Sequence, residues 1–130
     1  MELRVFPILN CTDILNTRSF YERVFGAEQV YQFPDHGDPV YLSLAIGGGQ
    51  LALGVGTGPA MYGETPLPAT GHAVDVCVYV PNLDRVLAAA PDCGGRLAVP
   101  ATDTPWGERV AYLQDPEGTM LLVIQENPDA

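Results

Sequence analysis

Shifted against itself by 69 residues, the chain falls into register with its own second half, and this repeat limits the fold more than any other feature. Val5-Phe6-Pro7-Ile8-Leu9-Asn10 lies over Val74-Asp75-Val76-Cys77-Val78-Tyr79. Asp13 then lies over Asn82, Gly26 over Gly95, Val30 over Val99 and Gly49 over Gly118. Identity is low, yet element types and punctuation agree. The chain reads as two copies of one unit.

Each copy can be followed through its periodicities. Val74, Val76, Val78 and Val80 alternate with Asp75, Cys77 and Tyr79, a period of two that gives a strand one apolar and one mixed face. Asn82 can cap a helix over about 83–90, where Leu83, Val86, Leu87 and Ala90 share a face, and Gly94-Gly95 ends that segment. In the first copy, Phe20/Val24 and Tyr21/Phe25 are i,i+4 pairs on a short helix closed by Gly26. Strands are expected over about 28–33, 40–46 and 50–55, then 96–99, 108–114 and 120–125, with Asp115-Pro116-Glu117-Gly118 as a turn. Each copy is thus βαβββ. The expected fold is α+β: one domain over 1–130, with module 1 at about 1–55, a Gly-, Pro- and Thr-rich linker at 56–71 and module 2 at about 72–127. The strands' mixed faces would curve into a cup with the helices outside.

Composition removes several function classes. Sixteen acidic against six basic residues give a net charge of −10, which argues against nucleic acid and anionic membrane as partners. The same charge suits a cationic ligand, or merely keeps the chain soluble. No apolar run approaches the roughly eighteen residues that a membrane helix needs. Met1-Glu2-Leu3-Arg4 does not resemble a signal peptide, so a cytoplasmic location is expected. Cys11, Cys77 and Cys93 have no CxxC spacing and are expected to be buried, reduced thiols.

Pro105-Trp106-Gly107-Glu108-Arg109-Val110-Ala111-Tyr112-Leu113-Gln114-Asp115-Pro116-Glu117-Gly118 resembles the C-terminal signature of the glyoxalase/bleomycin-resistance/dioxygenase (vicinal oxygen chelate) superfamily. Asp13, Phe20-Tyr21 and Gly26 resemble its first-module pattern, so the likeness spans nearly the whole chain. The resemblance implies four metal ligands facing the cup, two from each module. Their places fall at Phe6, at Ala52 (Leu53 after a one-residue slip), at Asp75 and at Leu122. Only Asp75 has a donor atom, and one carboxylate does not hold a catalytic divalent ion. His72 is expected on the other strand face, and His36 in a surface loop. No metal and no cofactor are therefore expected.

The emptied cup would be lined by Phe6, Tyr41, Ser43, Asp75, Cys77, Tyr79 and Leu122, with Tyr31 and Phe33 from the second strand, Trp106 from the loop before the seventh, and Tyr112. Aromatic faces take planar or cationic groups, and a carboxylate among them favours a cation or a donor. The profile is similar to the metal-free, drug-binding branch of the family. That likeness implies a homodimer sequestering an aromatic antibiotic or metabolite, with Trp106 stacking on it. Plainer roles stand beside these. Tyr79, Tyr112 and Trp106 could simply pack on neighbours, and Phe6 and Leu122 could plug the cup. An enzyme using Asp75, Glu108 or Glu64 as acid or base is the alternative, either metal-free or with a non-standard ligand set. Met61 and Tyr62 in the linker could form a lid or a dimer contact.

Overall fold

A computed structural model describes residues 2–56 and 72–126. The linker readings, including Met61, Tyr62 and Glu64, lie outside the described residues. The chain divides into two compact units, Met1–Pro68 and Ala69–Ala130.

The first unit runs β1 (Ile8–Asn10), α1 (Ile14–Phe25), β2 (Glu28–Phe33), β3 (Tyr41–Ile46) and β4 (Gly49–Gly54). Its sheet has the order β1-β4-β3-β2, with β1 and β4 parallel and the other neighbours antiparallel. The second unit runs β5 (Val76–Tyr79), α2 (Leu83–Ala89), a 3-10 turn at Pro91–Cys93, β6 (Arg96–Asp103), β7 (Glu108–Gln114) and β8 (Met120–Glu126). Its sheet has the order β5-β8-β7-β6, again with one parallel pair. The two βαβββ modules inferred from the repeat are present.

Local chemistry explains where the elements begin and end. The Asp13 side chain accepts the Asn16 N–H at 3.1 Å to start α1, and Gly26, at φ 70°, ends it in the left-handed conformation. Asn82 accepts the Arg85 N–H at 3.1 Å in the equivalent place on α2. Helix α2 stops at Ala89, because Pro91 cannot continue the amide ladder. The 3-10 turn fills the gap before Gly94, where the sequence reading had a continuous helix ending.

The first strand of each unit is shorter than its periodicity suggests. Strand β1 starts at Ile8 and β5 at Val76, so Phe6 and Asp75 precede the ladders rather than sit in them. Pro7 has no N–H to give, and contributes only its carbonyl, which accepts from the Ala52 N–H at 2.9 Å. Strand β6 runs on to Asp103, past its expected end at 99.

Each helix covers one face of its own sheet. Leu42 pairs with Leu53 and Leu44 with Leu51, and all four are buried beside Phe20 and Tyr21 of α1. Ala111 pairs with Val123 and Leu113 with Leu121, buried beside Leu83 and Val86 of α2. The Leu83 N–H donates to Gln125 Oε1 at 2.7 Å, and Arg109 reaches Asp84 at 3.2 Å, so residues 109 and 125 also lie on the helix side. What remains open is the opposite face of each sheet.

Candidate functional site

Register assigns the expected site residues to those opposite faces. In the first unit Tyr31 pairs with Ser43 and Phe33 with Tyr41, while Ser43 pairs with Ala52 and Tyr41 with Gly54. Pairing keeps partners on one face, so Tyr31, Phe33, Tyr41, Ser43 and Ala52 share it. Leu53, paired with Leu42, lies on the other face, toward α1. The Tyr31 and Tyr41 rings meet edge to face, with centroids 6.0 Å apart. Tyr31 and Phe33 stay more than half exposed, so this aromatic row is a surface of the unit and not part of its core.

A second feature of this face was not anticipated from the sequence. Arg4 Nη2 donates to Gln50 Oε1 at 2.7 Å, and Gln50 Nε2 donates to the buried Ser43 Oγ at 2.6 Å. The guanidinium also lies over the Phe6 ring, 5.8 Å from its centroid. Beside it is a groove of about 500 Å³ lined by Arg4, Val5, Phe6, Val30, Gln50 and the Gly47–Gly49 turn. Arg4 carries no periodic or motif signal, which is why sequence reasoning passed over it. Its place follows only from the β3–β4 register.

In the second unit, Cys77 pairs with Leu122 and Tyr79 with Ile124, and Tyr112 pairs with Leu122 across β7 and β8. These residues share the face opposite α2. Tyr112 OH donates to Asp75 Oδ2 at 3.1 Å, and His72 Nε2 contacts Asp75 Oδ1 in a close hydrogen bond. The His72 ring also meets the Tyr112 ring edge to face, with centroids 5.2 Å apart. His72 was expected on the other strand face. Strand alternation does not reach residues 72–75, which precede β5, so the backbone there can bring the imidazole around to the carboxylate.

A second carboxylate is held at the far end of the same face. Tyr79 OH donates to Glu108 Oε2 at 2.9 Å, and Trp106 Nε1 donates to Glu108 Oε1 at 2.8 Å. The turn that presents Trp106 is fixed by Thr104, whose Oγ1 donates to the Glu108 carbonyl and accepts the Glu108 N–H, both at 3.0 Å. Gly107, at φ 92°, supplies the left-handed step. Trp106 is 73% exposed, so packing inside its own unit does not account for it.

These contacts set the electrostatics. Accepting its phenol proton as a hydrogen bond, the Glu108 carboxylate raises the pKa of Tyr79, and Asp75 does the same to Tyr112. Both phenols stay protonated past their ordinary range. The second unit's open face carries the carboxylates Asp75 and Glu108, whereas the first unit's carries the cation Arg4 together with Glu28, which pairs with Ala45. Cys77 also departs from expectation: it is exposed, because it lies on the open face, while Cys11 and Cys93 are buried.

The metal test turns on donor chemistry. Of Phe6, Ala52, Asp75 and Leu122, only Asp75 offers a lone pair, and His72 beside it makes a pair within one module. Among the described residues no group of three or more His, Cys, Asp or Glu could hold an ion. The residues do not fit the family's metal. His36 is a surface residue beside Asp35.

Residues 5–123 match the family profile described as Glyoxalase/Bleomycin resistance protein/Dioxygenase superfamily. Among solved structures, TioX from Micromonospora sp. ML1 is similar, at 26% identity and TM-score 0.73, with 95% of each chain covered. A glyoxalase-related enzyme from Fulvimarina pelagi shares the fold at 20% identity and TM-score 0.75, covering 95% of this chain and 88% of its own. The protein SA1046 from S. aureus does so at 16% identity and TM-score 0.76, covering 96% and 95%. No curated protein matches the sequence. No helix among the described residues is long and apolar enough to cross a membrane.

Proposed function

We propose that this chain, which belongs to the Glyoxalase/Bleomycin resistance protein/Dioxygenase superfamily, is a metal-independent binding protein for a small aromatic molecule, sequestering an antibiotic or metabolite and so giving resistance to it. The observation that carries the reading is the donor set. Three of the four places where metal-dependent relatives ligate hold Phe6, Ala52 and Leu122, so the usual Lewis-acid chemistry has no anchor here. The open faces support binding instead. Tyr31, Phe33 and Tyr41 on one, and Tyr79, Tyr112 and Trp106 on the other, offer planar apolar area with Ser43 and two ordered carboxylates as polar anchors. Asp75 and Glu108 would favour a cationic or hydrogen-donating group on the ligand. A homodimer fits the same reading, since each sheet ends in edge strands that a partner could cover.

Trp106 is the one tryptophan, so its fluorescence reports directly on the site. Titration with aromatic antibiotics of several scaffolds should give saturable quenching with at least one of them. Silence across the panel would remove the reading. Elemental analysis is the second arm: stoichiometric Fe, Ni, Zn or Mn in purified protein would overturn its metal-independent half.

One observation favours an enzyme as the second reading. The His72–Asp75–Tyr112 cluster places a carboxylate between an imidazole and a phenol, an arrangement able to move a proton on a small organic substrate. Turnover abolished by Asp75→Asn, with ligand binding retained, would select it.

A further inference from the structure

Cations are scarce in this chain, and all six are arginines. Two of them are spent on ion pairs: Arg18 with Glu22 at 3.5 Å, and Arg109 with Asp84 at 3.2 Å. Arg4 makes no ion pair among the described residues. It is nonetheless fixed in place. Gln50 accepts from it at 2.7 Å, and the amide of Gln50 is oriented in turn by its 2.6 Å bond to Ser43. The Phe6 ring beneath the guanidinium removes a further degree of freedom.

A guanidinium has five N–H donors, and the Gln50 bond uses one. Arg4 itself lines the groove, together with Val5, Phe6 and Val30. At the Gly47–Gly49 turn nothing closes the mouth, for a Cβ added at Gly47 or Gly48 would meet no atom within 4 Å. The groove's volume of about 500 Å³ lies inside the usual range for small-ligand sites, roughly 300–1,000 Å³.

We infer that the Arg4 groove is a subsite for a planar carboxylate carried on an aromatic or conjugated ligand. The fork of a positioned guanidinium matches a carboxylate in two parallel hydrogen bonds, which a point charge cannot do. The apolar walls take the attached ring, and the pre-set Gln50–Ser43 brace lowers the ordering cost of binding. This deepens the binding function proposed above and rests on it. The ligand would then be an acid at the first unit's face.

A three-probe titration tests it, with 2-naphthoate, 2-naphthamide and 2-naphthylmethylamine followed by calorimetry and by the amide resonances of Gly47, Gly48 and Gly49. Wild-type protein should bind naphthoate about tenfold or more tightly than naphthamide, with shifts centred on those glycines. Arg4→Gln should remove the preference and Arg4→Lys should restore part of it, and because Arg4 is exposed both variants should fold as wild type. Equal affinity for acid and amide, an Arg4→Gln variant that keeps the preference, or shifts that avoid Gly47–Gly49 would each overturn the subsite. Binding of the amine without the acid would overturn it and leave the wider binding function standing. Failure of all three probes would count against both.

Discussion

The two units solve the same folding problem with the same ladder, and differ on the side that folding leaves free. Toward their helices both bury apolar chains, Leu42, Leu44, Leu51 and Leu53 in one and Ala111, Leu113, Leu121 and Val123 in the other, where Arg109 and Gln125 join them, each bonded to α2. On the opposite face the first unit has an aromatic row and a hydrogen-bonded Ser43–Gln50–Arg4 chain, while the second has two carboxylates held by tyrosines, a histidine and a tryptophan. Burial constrains the helix side, because a polar chain there loses its water and must find a partner, as Gln125 and Arg109 do on α2. The penalty is weaker on the open side, where Tyr31, Phe33, Tyr79 and Trp106 stay more than half exposed. A duplicated module can therefore keep its fold and acquire a different chemistry in each copy.

The contrast extends into the cores, and the largest expected effect lies there. Helix α1 packs an aromatic cluster, with Phe20 and Tyr21 edge to face at 5.1 Å and Tyr21 stacked on Phe25 at 6.1 Å. Helix α2 offers Leu83 and Val86 instead. Phe20→Ala should cost about 3–5 kcal/mol in urea unfolding, and Val86→Ala about 2 kcal/mol. Equal costs would mean that the first unit's core is no more tightly filled than the second's.

Next come the hairpin turns, which the two units build by different means. Between β3 and β4 the turn is Gly47-Gly48, closed by the Ile46–Gly49 pair, with no side chain taking part. Between β7 and β8 the buried Asp115 Oδ1 accepts the N–H groups of Glu117 and Thr119, each at 2.9 Å. Asp115→Ala should therefore cost about 1–3 kcal/mol, since it strips two amides of their acceptor. Gly48→Ala should stay within about 0.5 kcal/mol, because its Cβ meets open space. Thermal melts of the two variants compare the designs directly.

Much of this was legible in the chain. The 69-residue repeat, the i,i+4 pairs Phe20/Val24 and Tyr21/Phe25, and the Asp115–Gly118 turn are local or periodic signals, and they gave the βαβββ order. Alternation along β3 also set Tyr41 and Ser43 apart from Leu42, Leu44 and Ile46, a division that the ladder register keeps. It failed at His72, which lies ahead of a strand of four residues and is positioned by its contact with Asp75. It was silent on Arg4 and Gln50, separated by 46 residues and joined only through register. Ladder positions follow from spacing; braces across a sheet do not.

A smaller effect separates the helix caps. Asp13→Ala and Asn82→Ala each remove an acceptor from a first-turn amide, a loss of about 1 kcal/mol. The second should cost less. In α2 another first-turn amide, Leu83 N–H, is already satisfied by Gln125 Oε1 at 2.7 Å, so that end keeps a partner when Asn82 is lost. Asn82→Ala matching or exceeding Asp13→Ala in a urea titration would show that the Gln125 bond does not share the capping.

The least stability change is expected where the second unit's open face titrates. Tyr79 and Tyr112 have raised pKa values because Glu108 and Asp75, respectively, accept their phenol protons. A raised folded value means that the protonated phenol is favoured by folding. Its stabilisation is complete below the ordinary tyrosine value of about 10 and is lost as pH climbs through the folded values. Both phenols lie at the solvent edge, so the loss should be slight, but the ionisation itself is visible in the phenolate absorbance. Glu108→Gln should bring Tyr79 back toward its ordinary value and leave Tyr112 late, and Asp75→Asn should do the reverse. If either substitution moved both phenols together, the two carboxylate clusters would be one coupled network, and the second unit's face would hold a single polar anchor instead of two.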